Sequence, residues 1–102
     1  MFVYITTPNV EEAERIGRIL VEERLAACVN IFPIRSIYRW KGKIETSREA
    51  VIIVKTRKRL FGKLVRRVRE IHSYEVPCIV GFNIGAGESR FLEWIDGETG
   101  DK

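Results

Sequence analysis

Tyr38-Arg39-Trp40-Lys41-Gly42-Lys43-Ile44-Glu45 reads as the tip of a long β-hairpin. Lys41-Gly42 supplies the turn, because glycine accepts the positive φ that a two-residue hairpin loop demands. One arm begins near Ala27 and runs to Trp40, interrupted at Pro33. The other returns from Lys43 to Lys55. Proline cannot donate to a β-ladder, so Pro33 marks a kink, a bulge or a sheet edge. Arms of roughly twelve or more residues at ~3.3 Å each span ~40 Å, about twice what the outer strands supply. The tip must therefore project beyond its own sheet.

The flanking segments supply the remaining elements. Phe2-Val3-Tyr4-Ile5-Thr6-Thr7 is rich in aromatic and β-branched residues and reads as a strand ended by Pro8. Asn9 is a helix N-cap with Glu12 at the capping-box position, and Glu11, Glu12 and Glu14 favour the positive end of the helix dipole. Ala13, Ile16, Gly17 and Leu20 form one apolar stripe, and Gly17 permits close approach to a sheet. Glu11–Arg15 and Glu14–Arg18 are spaced as i,i+4 pairs, and the helix is expected to run to Arg24 or Leu25. Arg57 to Ile71 reads as a second helix, with Leu60, Phe61, Leu64, Val65, Val68 and Ile71 on one face. Ser73 to Pro77 is a loop, and Cys78 to Ile84 a fourth strand. Gly85-Ala86-Gly87 breaks that strand, and Phe91, Leu92 and Ile95 seed a short third helix with a frayed end at Gly97 and Gly100.

The order is β-α-β-β-α-β plus a terminal helix, the α+β ferredoxin-like arrangement, as a single domain over 1–102. Right-handed crossovers place both main helices on one face of the sheet. The other face ought to be polar, yet Phe2-Val3-Tyr4-Ile5 and Ala50 to Val54 do not alternate. Uncovered, that face is a large apolar patch, and the projecting arms carry unpaired backbone groups. Both problems are solved by closed self-association, with three copies a plausible count and two not excluded by periodicity.

Composition narrows function without fixing it. No apolar run approaches the ~20 residues that span a bilayer, and the start lacks a signal-peptide pattern, so an intracellular, soluble protein is expected. Net charge is +4, and eight bases fall between Lys55 and Arg69 before Glu70. A basic helix and this element order suggest an RNA-recognition motif. That motif needs aromatics in its third strand, and Glu49-Ala50-Val51-Ile52-Ile53-Val54 has none, which argues against nucleic acid. There is one histidine, no nucleophile elbow, no phosphate loop and no paired ligand motif, so no enzyme chemistry is indicated.

Two groups of residues remain. His72 follows the basic helix, where an imidazole can cap a carbonyl or meet Glu75, and Cys78 lies six positions on; together they are the candidate metal ligands, with copper or another divalent cation the candidate ion. Cys28 and Cys78 otherwise read as buried strand thiols in a reducing compartment. Tyr38, Trp40, Lys43, Glu45, Lys55 and Tyr74 suit either a cleft for a small polar ligand or an interface between copies, with Glu45 or Glu49 meeting a neighbour's base.

Tyr4-Ile5-Thr6-Thr7-Pro8, Glu23-Arg24-Leu25-Ala26-Ala27-Cys28-Val29-Asn30, the hairpin tip Tyr38 to Glu45, Lys55-Thr56 and His72-Ser73-Tyr74-Glu75-Val76-Pro77, in this order, resemble the CutA divalent-cation tolerance proteins from Met1 to about Ile95. The resemblance implies a homotrimer of ferredoxin-like subunits, PII-like in assembly, cytoplasmic and linked to tolerance of copper and other divalent cations, with no catalysis and no required cofactor. In the family's bacterial copper-binding member the proposed ligands are a first-strand cysteine and two adjacent histidines. Those positions are Ile5, Ile71 and His72 here, so one imidazole of that set is kept. The alternative is a PII-like sensor holding a small anionic ligand in the intersubunit cleft, although Lys41-Gly42 is a tight turn where PII proteins carry a long loop.

Overall fold

The computed structural model describes residues 1–100 as one four-stranded antiparallel sheet, order β2-β3-β1-β4, with three α-helices. In chain order these are β1 (Phe2–Thr7), α1 (Val10–Glu22), β2 (Cys28–Trp40), β3 (Lys43–Lys55), α2 (Phe61–Ile71), β4 (Ile79–Phe82) and α3 (Ser89–Glu98). This is the ferredoxin-like order with a terminal helix.

The hairpin is as long as its sequence implies. β2 and β3 have 13 residues each, against 6 in β1 and 4 in β4. Their register is unbroken from Cys28↔Lys55 to Trp40↔Lys43, so Pro33, opposite Ala50, sits in no bulge. The proline is tolerated because β2 is an edge strand, leaving its nitrogen on the unpaired side. β1 pairs with β3 only from Ala50 to Lys55. Among the described residues Lys43–Glu49 therefore has a ladder partner on one side alone, and the molecule stretches to 45 × 27 × 21 Å. Lys41 and Gly42 both take positive φ (51° and 79°), the signature of a type I′ turn, whose twist matches the strands.

One face of the sheet makes the core. Val3, Ile5, Ala50, Ile52 and Val54 are sealed against Ala13, Ile16 and Leu20 of α1 and Leu64 and Val68 of α2. A Cβ on Gly17 would lie 2.8 Å from Val29 Cγ2, so the glycine does let α1 sit close on β2. The opposite face, set by the register Phe2↔Lys55, Tyr4↔Ile53 and Thr6↔Val51, carries no helix of the α1–α2 layer. Phe32 and Phe82 on it are 42% and 57% exposed.

Helix ends depart from the sequence reading. α1 stops at Glu22, short of Arg24, which takes φ 61°. Leu25 N–H reaches Leu20 O and Arg24 N–H reaches Val21 O, a Schellman stop that periodicity does not reveal. Asn9 caps α1 by accepting from Glu12 N–H, but the Glu12 carboxylate does not close a capping box; it holds Ser73 instead. Arg15 likewise donates to Ile71 O, not to Glu11. The second helical segment begins with a 3₁₀ turn at Lys58–Leu60 before α2. β4 is shorter than expected, and Cys28 and Cys78 are half-buried rather than buried. The end of α3 is tied down, not frayed. Arg24 donates to the carbonyls of Gly97 and Gly100, and Arg57 to the hydroxyl and carbonyl of buried Thr99.

Candidate functional site

Where the hairpin leaves the sheet, its unpaired edge faces the loop that joins α2 to β4. The corner between them is a cleft of about 770 Å³. Tyr4, Thr6 and Cys78 form its base, Ile34, Tyr38, Trp40 and Glu49 its hairpin side, and Tyr74, Glu75 and Val76 its rim. Alternation explains the hairpin side. Register places Ile34 opposite Glu49 and Tyr38 opposite Glu45, so these residues share the helix-free face.

The loop is held by a chain of hydrogen bonds that begins at His72. Its Nδ1 accepts from Tyr74 N–H at 2.9 Å, so Nδ1 carries no proton; Nε2 is then the N–H that donates to Thr6 O at 2.7 Å. The ring is sealed from solvent. Glu12 Oε2 lies 3.6 Å from Nδ1 and accepts from both the backbone N–H and hydroxyl of Ser73. Tyr74, its ring centroid 5.0 Å from that of His72, then donates its phenol to Glu49 Oε2. Burial, followed by the bond to Glu49 and the charges of Glu49 and Glu12, pushes the Tyr74 phenol well above its ordinary value of 10.0. Tyr74 therefore stays protonated and Glu49 remains the acceptor.

Of the residues singled out by sequence, Tyr38, Trp40, Glu49, Tyr74 and Cys78 line one cleft. Lys43 and Glu45 are the cross-strand neighbours of Trp40 and Tyr38, exposed beside the cleft rather than within it. Lys55 stands at the far end of β3, with Nζ 5.7 Å from the Phe2 ring and 5.5 Å from the Phe91 ring. His72 lies behind Tyr74 with both ring nitrogens engaged by backbone. Among the described residues no three His, Cys, Asp or Glu side chains converge as a metal cage, and no helix is long and apolar enough to cross a membrane. Tyr4, Ile34, Arg35 and Glu75 also line the cleft and were not anticipated. The signal for Tyr4 was present, since a strand beginning at Phe2 puts Tyr4 and Thr6 on the face away from α1.

A ferredoxin-like sheet with an overlong central hairpin and a cleft at its root defines an α+β domain of the PII-like class. The chain belongs to the CutA1 divalent ion tolerance family, whose pattern spans residues 1–98. It is 53% identical to the divalent-cation tolerance protein CutA of Archaeoglobus fulgidus over 93% of each chain. The solved structure of the A. fulgidus protein, described as periplasmic, superposes with a TM-score of 0.94 over 95% of both chains. A chloroplastic CutA 1 of Oryza sativa is 42% identical across 95% of this chain, which spans 55% of that longer relative. The PII-like protein CutA from Nostoc in apo form matches with a TM-score of 0.91 at 35% identity, over 97% of this chain and 96% of that one.

Proposed function

We propose that this chain acts as a cytoplasmic homotrimer in divalent-cation tolerance, without catalysis, and that its contact with metal is weak or indirect. The observation that carries the assembly is Lys43–Glu49, seven consecutive residues with a ladder partner on one side only. A backbone edge of that length beside exposed Trp40, Ile37 and Ile44 is a docking element for another copy. Cyclic closure satisfies every arm at once. The names of the relatives supply the link to divalent cations.

The weak-metal reading rests on His72. To ligate copper the imidazole must give up either the Tyr74 N–H or the Thr6 carbonyl, leaving a buried group unpaired. Cys78, half-buried at the base of the cleft, is the more available soft ligand. Native mass spectrometry tests the assembly, with a species of three 11.8 kDa chains expected and a folded single chain the result that refutes it. Calorimetric titration with Cu(I) and Cu(II) on wild type, His72→Ala and Cys78→Ser tests the metal reading. Tight binding lost in His72→Ala would refute it.

A second reading is favoured by the cleft itself. Its aromatic walls and paired Glu49–Tyr74 suit a PII-like sensor that takes a small ligand between protomers. A thermal-shift screen of nucleotides and organic acids tests this, with no stabilisation by any of them the negative outcome.

A further inference from the structure

At the opposite end of the sheet from the cleft lies a second pocket of about 570 Å³, and we propose that it binds the phosphate of a small organic phosphate. Its polar wall is Thr56, Arg57, Lys58, Arg59 and Asn83; its apolar wall is Ile84, Ala86, Leu92 and Ile95.

Three observations converge on an anion. The first is charge crowding. A Cβ on Gly100 would collide with Arg57 Nη2 and lie 2.8 Å from Arg59 Nη2, so two guanidinium groups sit side by side over that glycine. Arg57 is committed to Thr99, whereas Arg59 has no hydrogen bond or ion pair among the described residues. Lys58 adds a third cation, and among the described residues Asp96 is the one carboxylate in the lining. Planar guanidinium forks are suited to phosphate oxygens.

The second is backbone. The 3₁₀ turn at Lys58–Leu60 runs directly into α2, and its start has no side-chain cap. Leu60 N–H donates to Arg57 O, and among the described residues the N–H groups of Lys58 and Arg59 have no partner, so they are open to a ligand.

The third is Thr56. It is 1% exposed, lines the pocket, and its Oγ1 is a buried hydroxyl with no hydrogen-bond partner. Such a group costs stability unless something satisfies it. A phosphate oxygen at the basic end would do so once the Thr56 side chain turns its hydroxyl from the interior toward the pocket, while Ile84 and Leu92 receive an apolar body. The open space beside Gly85, where a Cβ would meet nothing within 4 Å, leaves the entrance clear.

Amide NMR titration with phenyl phosphate, inorganic phosphate and phenol as separate probes tests the proposal. Saturable shifts at Thr56, Lys58, Arg59 and Gly85 are expected with phenyl phosphate, weaker ones with inorganic phosphate, and none with phenol. Arg59→Gln, at an exposed position that the fold does not need, is expected to weaken binding about tenfold. Thr56→Val keeps the shape and removes the hydroxyl. It is expected to weaken binding several-fold while leaving the fold at least as stable, a combination that a purely structural threonine would not give. The proposal fails if neither phosphate saturates in the millimolar range, or if both variants bind as wild type does.

Discussion

Glu12 and Ser73 meet twice: one carboxylate oxygen of α1 accepts the backbone N–H and the hydroxyl of Ser73, each at 2.9 Å. The two residues are 61 positions apart, and the bonds fasten the end of α2 to the start of α1. They also fix the loop that carries Tyr74 into the cleft. Glu12→Ala removes that acceptor and both bonds with it, and leaves His72 Nδ1 without its acidic neighbour. Charge-assisted bonds of this kind are each worth about 1–3 kcal/mol, and partial exposure places the expected loss at the lower end. Urea unfolding of the variant measures it, and Glu12→Gln, which keeps an acceptor oxygen, is expected to lose less.

Gly17→Ala is expected to destabilise although alanine is the better helix former. The gain in helix propensity is about 1 kcal/mol. Against it stands a methyl 2.8 Å from Val29 Cγ2, on a β-branched side chain fixed within a strand. Overpacking of this kind costs about 1–3 kcal/mol, so the balance is a net loss near 1 kcal/mol. Chemical denaturation of Gly17→Ala beside Gly17→Ala/Val29→Ala separates the two effects, since the second change reopens the space.

The fold was legible because its signals are local. Lys41-Gly42 can only be a tight turn, Asn9 can only start a helix well, and Gly17 in an apolar stripe points to close packing. The long arms followed from counting residues between turn signals, and their projection from the shortness of Phe2–Thr7. What escaped were contacts between distant segments. Arg24 in a left-handed conformation, with Gly97 and Gly100 bonded to it, leaves no trace in periodicity. Glu12 looked like half of a capping box, yet a partner 61 residues away won its carboxylate. The cleft was half legible. Tyr38 and Trp40 stood out as aromatics on a projecting arm, and Tyr74 by its place beside His72. Lys55 stands apart from the cleft of the single chain, ~20 Å from Glu49 along β3, a separation that the sequence of a 13-residue strand does not display by residue type.

Alkaline pH is expected to weaken the loop through Tyr74. The folded protein holds this phenol's proton more tightly than the unfolded chain, whose tyrosines titrate near 10.0, with burial the larger cause and Glu49 the next. A pKa raised by folding contributes stability that is complete below the unfolded value and is lost as pH climbs from there toward the folded one. Stability measured from pH 8 to 11 should therefore fall above about pH 10. Tyr74→Phe should lower stability at neutral pH, by loss of the bond to Glu49, and flatten the alkaline fall. The two proteins differ at this one side chain, so the difference between the two curves isolates Tyr74.

The projecting hairpin gives the sharpest test of assembly. Ile37 and Ile44, 76% and 68% exposed in the single chain, contribute nothing to its core. Ile37→Glu and Ile44→Glu should therefore leave an isolated subunit's own packing intact. If another copy covers these side chains, each substitution forfeits about 1.5–3 kcal/mol of apolar burial and adds the cost of desolvating a carboxylate. Every 1.4 kcal/mol is about tenfold in a dissociation constant, so the double variant should dissociate at concentrations where wild type stays associated. Sedimentation equilibrium with circular dichroism reads both properties on one sample. Folded single chains from the variant and larger species from wild type are the expected pair. Equal masses for the two proteins would mean that the tip is not where copies meet, and an unpaired Lys43–Glu49 edge would then need another partner.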